Sequence, residues 1–194
     1  MDVELVKTQE RIRTIDLVRM SLFATLMMIG ANITSFVPFL VVGGVPITLQ
    51  TFFAVLAGTF LGKRKGAIAM VVYILIGLVG APVFARFQGG PSAILSPNFG
   101  FLLSFIGTAY IAGYIIEKKS TLKAFIVAAL VSTLFNYIFG TNWMYMAYKL
   151  WFAQPEGFSY SLVWLWMAVP FPKDLALAIV AGSFAHRMRK VVKL

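Results

Sequence analysis

Asp174, Lys173, Asn98, Arg86, Gln88 and Gln50 stand out because the chain around them is so apolar: of 194 residues, 60% are hydrophobic and 12% charged. A charge carried to the centre of a bilayer costs about 2.5–3.5 kcal/mol on insertion scales. Asp174 and Lys173 open the last apolar run, which makes them candidates for lining a cavity. Asp174 can equally cap that helix, since a carboxylate suits a helix N-terminus, and the two roles are compatible. Gln50 lies inside an apolar run, where an unsatisfied amide is expensive, so it needs a partner in ligand or protein. Arg86, Gln88 and Asn98 fall in GAPVFARFQGGPSAILSPNFG at 80–100. There a long apolar run breaks into Pro, Gly and polar residues, then resumes from Phe101. Irregular polar backbone at membrane depth persists only where protein buries it or it lines a cavity. The stretch is therefore a plain loop between two spans or the lip of a binding site.

These groups offer recognition rather than catalysis. The single histidine, His186, sits in the basic HRMRK tail and reads as a solvated interface residue. The chain lacks an HExxH pattern, a Ser/His/Asp set and paired membrane carboxylates. Cysteine is absent, which excludes disulfides, thiolate metal sites and a cysteine nucleophile. GTFLGKRKG at 58–66 is superficially like a phosphate loop, but Arg stands where the magnesium-binding Ser or Thr belongs. The chain is expected to be neither an enzyme nor its own ATPase, and to hold no metal or cofactor.

The elements that position these groups are membrane helices, each needing about 20 apolar residues to cross. Apolar runs predict spans over 16–36, 45–61, 67–84, 99–116, 122–139 and 171–185. Residues 1–15 read as a cytosolic lead-in and 186–194 as a cytosolic basic tail. Residues 142–169 hold Trp143, Trp151, Trp164 and Trp166 with Tyr145, Tyr148 and Tyr160, broken by QPEG at 154–157. Trp and Tyr gather where bilayer meets water, so this segment reads as two short outer interfacial helices. Small residues four apart, Ala54, Gly58 and Gly62 on one span and Ala109 and Gly113 on another, predict close helix packing within the bundle.

The charge distribution tests this topology. Net charge is +10. With both termini in the cytosol, every Lys and Arg except Arg86, Lys149 and Lys173 falls on the inner side, including Lys7, Arg11, Arg13 and Lys193. Lys and Arg in short loops stay cytoplasmic, so the excess sets orientation and is not a nucleic-acid patch. The expected fold class is all-α: one cell-membrane domain, a multi-pass bundle of transmembrane helices among lipid, with its functional loops outside.

GVPITLQT at 44–51, GLVGAPVFARFQGG at 77–90, SPNFGFLLSF at 96–105 and PFPKDL at 170–175 occur in an order and spacing that resembles the BioY family. Members are biotin-specific S-components of energy-coupling-factor transporters. The resemblance runs from the first span to the last. It implies a six-helix bundle that holds biotin near the outer face, and partners in a T-component and two cytosolic ATPase subunits. On the first span, where such proteins meet the T-component, Ala24 is followed four residues later by Met28.

For biotin the resemblance implies hydrogen-bonding groups for the ureido ring, apolar walls, and a cation or amide for the carboxylate. Asn98 and Asp174 are assigned to the ring, Arg86 or Lys173 to the carboxylate, and Gln50 and Gln88 to further polar contacts. Phe84, Phe87, Phe99, Trp143 and Tyr145 are candidate walls, although interface anchoring alone accounts for any single aromatic. The alternatives are an S-component for another vitamin-like solute such as lipoate, and a membrane assembly protein without a small ligand.

Overall fold

The structure, a computed structural model, describes residues 12–36, 41–42 and 45–191. Most of the lead-in, with Lys7 and Arg11, the outer-loop positions 37–40 and 43–44, and the end of the tail with Lys193 lie outside the described residues. The chain is built from α1 (Thr14–Asn32), a short antiparallel pair β1 (Val41–Val42) and β2 (Val45–Pro46), α2 (Gln50–Leu78), α3 (Phe99–Lys118), α4 (Leu122–Leu150), α5 (Tyr160–Trp166) and α6 (Pro170–Val191).

α2 is two spans. Gly62 breaks its helical path at φ +81°, a conformation glycine adopts without a side-chain penalty. The arms 50–61 and 63–78 fold back on one another: a β-carbon on Gly66 would lie 2.8 Å from Gly58 Cα. The GKRKG punctuation thus marks a tight cytosolic turn. Three helices among the described residues, α1, α3 and α4, are each long and apolar enough to cross a bilayer, and α5 with α6, meeting at a 49° bend, make a fourth. The two arms of α2 complete the six-span bundle.

α2 sits at the centre, packed against α1, α3 and α6, while α4 closes the bundle against α3 and α6. The small-residue rows work inside it. A β-carbon on Gly58 would run into the carbonyl of Ala109, and one on Gly113 into the backbone of Gly62 and Lys63. Ala54 and Ala109 are fully buried. The core around them holds Met27, Met70, Tyr73, Phe105 and Phe125.

Several boundaries differ from the sequence reading: the second span begins at Gln50, after β2, its returning arm ends at Leu78, and α6 runs on to Val191 through most of the predicted tail. α4 continues through Leu150, so the first part of the aromatic segment extends a span and only α5 is a separate short helix. The aromatics at 142–150 are compatible with helix, and no breaker intervenes before Pro155. α6 begins at Pro170, with proline at a position whose missing N–H costs nothing. Asp174 therefore lies beyond the first turn and is not an N-cap.

Candidate ligand-binding site

A cavity opens at the end of the bundle opposite the basic turn, where α2 and α6 begin and the 80–100 stretch crosses over them. Its free volume is about 90 Å³, and its lining combines a mainly apolar wall with a few placed polar groups, the composition typical of small-molecule pockets. Its apolar wall comes from Phe84, Phe99, Phe101, Leu102, Phe105 and Met167. Its polar groups converge from three helices, with Gln50 and Thr51 on α2, Asn136 and Tyr137 on α4, and Lys173 and Asp174 on α6. Thr48, Gln88, Ser96 and Asn98 join them from the irregular segments beside these helices.

Asp174 is at the floor, 6% exposed. Its Oδ2 accepts hydrogen bonds from the Tyr137 hydroxyl at 2.7 Å and the Thr51 hydroxyl at 3.2 Å. Its Oδ1 lies 2.7 Å from Lys173 Nζ, which also donates to the Thr48 carbonyl. Asn136 donates to Thr51 at 3.3 Å and accepts from the Ser104 hydroxyl. The network ties α2, α3, α4 and α6 together around one carboxylate. Charge burial of this kind requires a partner and full hydrogen bonding.

The crossing stretch is held from below. Gln50 Nε2 donates to the Tyr73 hydroxyl at 2.8 Å, and that hydroxyl donates to the Val83 carbonyl at 3.1 Å. Asn32 on α1 accepts from the Phe87 amide at 2.7 Å and donates to Val83 O at 3.3 Å. Phe84, 4% exposed, meets Tyr73 edge-on at 5.6 Å. Trp151 at the end of α4 donates to the Leu95 carbonyl at 2.8 Å. The crossing stretch is largely exposed at its outer side, and these bonds, with the buried Phe84, anchor its inner side over the cavity.

Of the residues singled out from sequence, Gln50, Phe84, Gln88, Asn98, Phe99, Lys173 and Asp174 line the cavity together. Gln50 has its partner in Tyr73. Arg86, Phe87, Trp143 and Tyr145 are not among the lining residues. Arg86 is exposed, with φ +64° and its amide bonded to the Ser35 hydroxyl. The left-handed turn at Arg86 and Phe87 carries both side chains to the outside. Trp143 stands behind the wall, against Phe99 at 6.2 Å and over Gly100. Tyr145 stacks on Phe158 in a separate cluster near α5. Ala24 is 2% exposed and packs in the core, so its methyl is not presented at the surface of this bundle. His186 is half-buried with its ring edge-on to Phe125 at 5.3 Å, rather than freely solvated.

Sequence reasoning missed Thr51, Asn136 and Tyr137. Asn136 carried a usable signal: like Gln50, it is an amide inside an apolar run, LFNYIF, and needed a partner.

A multi-span helical bundle with one polar-floored, apolar-walled cavity at its outer end has the build of a membrane protein that captures a small solute. A family model described as the BioY family matches residues 5–194. A BioYB protein of Bacillus subtilis (strain 168) is 42% identical over 179 residues, covering 91% of this chain and 88% of that one. The "Biotin transporter BioY" of Thermotoga maritima is 32% identical over 176 residues, covering 90% and 96%. A crystal structure of the S-component for biotin from an ECF-type ABC transporter superposes with a TM-score of 0.66 at 23% identity, covering 90% of each chain, and shows the shared fold. The chain belongs to the BioY family. It is a multi-pass integral protein of the cell membrane and not an enzyme.

Proposed function

We propose that this protein is the substrate-binding S-component that captures biotin at the outer face of the membrane for uptake by an energy-coupling-factor transporter. The observation that carries the reading is the buried Asp174 carboxylate, held by Tyr137 and Thr51 on the floor of a cavity that Asn98 and Lys173 also line.

The chemistry of biotin supports it. The ureido ring offers N–H donors and a carbonyl acceptor, which suit the Asp174 carboxylate and the Asn98 amide. Phe84, Phe99 and Phe105 flank the space for the fused ring and acyl chain. Lys173 is the cavity's cation, and it takes the ligand's carboxylate in preference to Arg86. Its ammonium pairs with Asp174, and its flexible four-carbon stem lets it also reach the ligand's acid nearer the mouth. Gln88 supplies a further polar contact at the rim, while Gln50 acts through Tyr73 on the crossing stretch.

Transport work comes from a T-component and two cytosolic ATPase subunits, consistent with the absence of a nucleotide-binding motif in the sequence. Alanine at Asp174 or Asn98 tests the site: biotin affinity falls while insertion and folding persist. Unchanged affinity in both variants rejects the assignment.

A further inference from the structure

Below the outer cavity, the contact between α3 and α4 carries a row of buried polar side chains: Ser104, Thr108, Ser132 and Asn136. Thr108 turns its hydroxyl to the Ser104 and Ser132 carbonyls, and Ser132 bonds within its own helix. Asn136, at the outer end of the row, reaches across to α2. Its Nδ2 donates to the Thr51 hydroxyl at 3.3 Å, and its Oδ1 accepts from Ser104. Asn136 and Thr51 both line the cavity.

The direction of these bonds follows from what each group can do. Asp174, paired with Lys173, is a carboxylate and only accepts, while a threonine hydroxyl carries one proton. The Thr51 proton therefore points at Asp174 Oδ2, 3.2 Å away, and the Thr51 oxygen is left to accept. The Asn136 amide nitrogen meets that need. With the amide turned over, Thr51 would face two acceptors with one proton, and one contact would be repulsive. Every proton from Ser104 through Asn136 and Thr51 thus runs toward Asp174. Tyr137 donates to the same Oδ2. That oxygen is occupied, while Oδ1, which meets the Lys173 ammonium at 2.7 Å, keeps a lone pair for a further donor.

We propose that Asn136 is a positioning residue that fixes the hydrogen-bond polarity of the site: through Thr51 it holds the Asp174 carboxylate in place as an acceptor, so that the floor selects solutes presenting N–H donors. Without the amide, the Thr51 hydroxyl has its own helix backbone as an alternative acceptor, and Asp174 loses a fixed donor. A cyclic urea brings the N–H groups this floor takes, whereas a disulfide ring such as that of lipoate brings none. The proposal rests on the biotin reading for its probe.

The test is calorimetry of the detergent-purified full chain with biotin and with an analogue methylated on both ureido nitrogens. N136L leaves Ser104 the Phe101 carbonyl at 2.8 Å and Thr51 the Asp174 carboxylate, so it orphans no buried group. N136L and T51V are each expected to weaken biotin about tenfold, and N136L/T51V no more than either alone, because the two act in one chain of bonds. The methylated analogue, with no N–H for Asp174, is expected to change by less than about twofold in N136L, and biotin likewise in T108V, lower in the same row. Infrared difference spectra against D174N give the Asp174 carboxylate stretch without ligand, and it should shift alike in N136L and T51V. Elution profile and thermal unfolding check each fold, and N136A stands in for N136L if leucine prevents insertion. Additive losses in the double variant, an equal loss for the methylated analogue or in T108V, or an unmoved carboxylate band overturns the proposal. A shifted band in a protein that binds no biotin supports the polarity assignment and rejects biotin as the solute.

Discussion

Tyr137 on α4 donates a 2.7 Å hydrogen bond to Asp174 on α6, and that bond joins the two helices at the floor of the outer cavity. The Asp174 carboxylate is held in one orientation before any ligand arrives, so little ordering remains to be done on binding. Removing the phenolic hydroxyl in Tyr137→Phe leaves the ring packed against Phe171 at 4.9 Å and deletes only the bond. Biotin binding by calorimetry should weaken by about 1.5–3 kcal/mol, the range for hydrogen bonds to charged groups, with the melting temperature lowered modestly. An unchanged affinity would separate Tyr137 from ligand recognition.

Lys173 and Arg86 make opposite predictions. Lys173→Met removes the cation that lines the cavity and leaves Asp174 uncompensated. Biotin affinity should fall by about tenfold or more, with a smaller loss for a biotin derivative whose carboxylate is an amide. Arg86→Ala, at an exposed side chain outside the cavity, should leave affinity within about twofold. The reverse pattern would move the carboxylate subsite to the outer loop.

Gln50 and Tyr73 form a pair whose loss is felt in stability first. Tyr73→Phe strips the acceptor from the buried Gln50 amide and the donor from Val83 O. An orphaned buried amide costs about 1–3 kcal/mol, which a thermal unfolding series should detect. Gln50→Leu in the Tyr73→Phe background should recover part of it, because replacing both partners by apolar groups leaves no polar group of the pair unpaired. Failure to recover any would mean that Gln50 has a further role at the cavity wall.

Gly58→Val drives a branched side chain into the Ala109 carbonyl, where α2 and α3 touch. The variant should lose several degrees of melting temperature or fail to insert, since overpacking of a close helix contact typically costs about 1–3 kcal/mol. Gly157→Ala, whose φ of +69° strains any side chain but whose surroundings are open, should cost less. Equal effects would place the Gly58 contribution in the backbone rather than in packing.

The spans were readable because hydrocarbon thickness and the basic-residue bias constrain a membrane chain strongly. GKRKG announced the turn at Gly62, and the small-residue rows at Ala54, Gly58, Ala109 and Gly113 announced the tight contact they make. Asp174 and Gln50 were visible because polar groups in apolar runs need partners, and Asn98 because it lies in the irregular 80–100 stretch beside membrane spans. Thr51 and Tyr137 were not, since a hydroxyl in a membrane helix can bond its own backbone and gives no sign of reaching another helix. Arg86 was misleading for a local reason: its neighbours Phe84 and Gln88 do line the cavity, but the left-handed turn between them points it away. The end of α4 was obscured because aromatic residues suit both an interface and a helix.

The central claim is tested most directly by calorimetry of biotin binding to the detergent-purified full chain, stripped beforehand of any bound vitamin. The account predicts tight one-to-one binding, weakened for analogues altered in the ureido ring. No heat from protein shown to be folded and empty would contradict biotin as the substrate and leave the bundle and its cavity without that ligand.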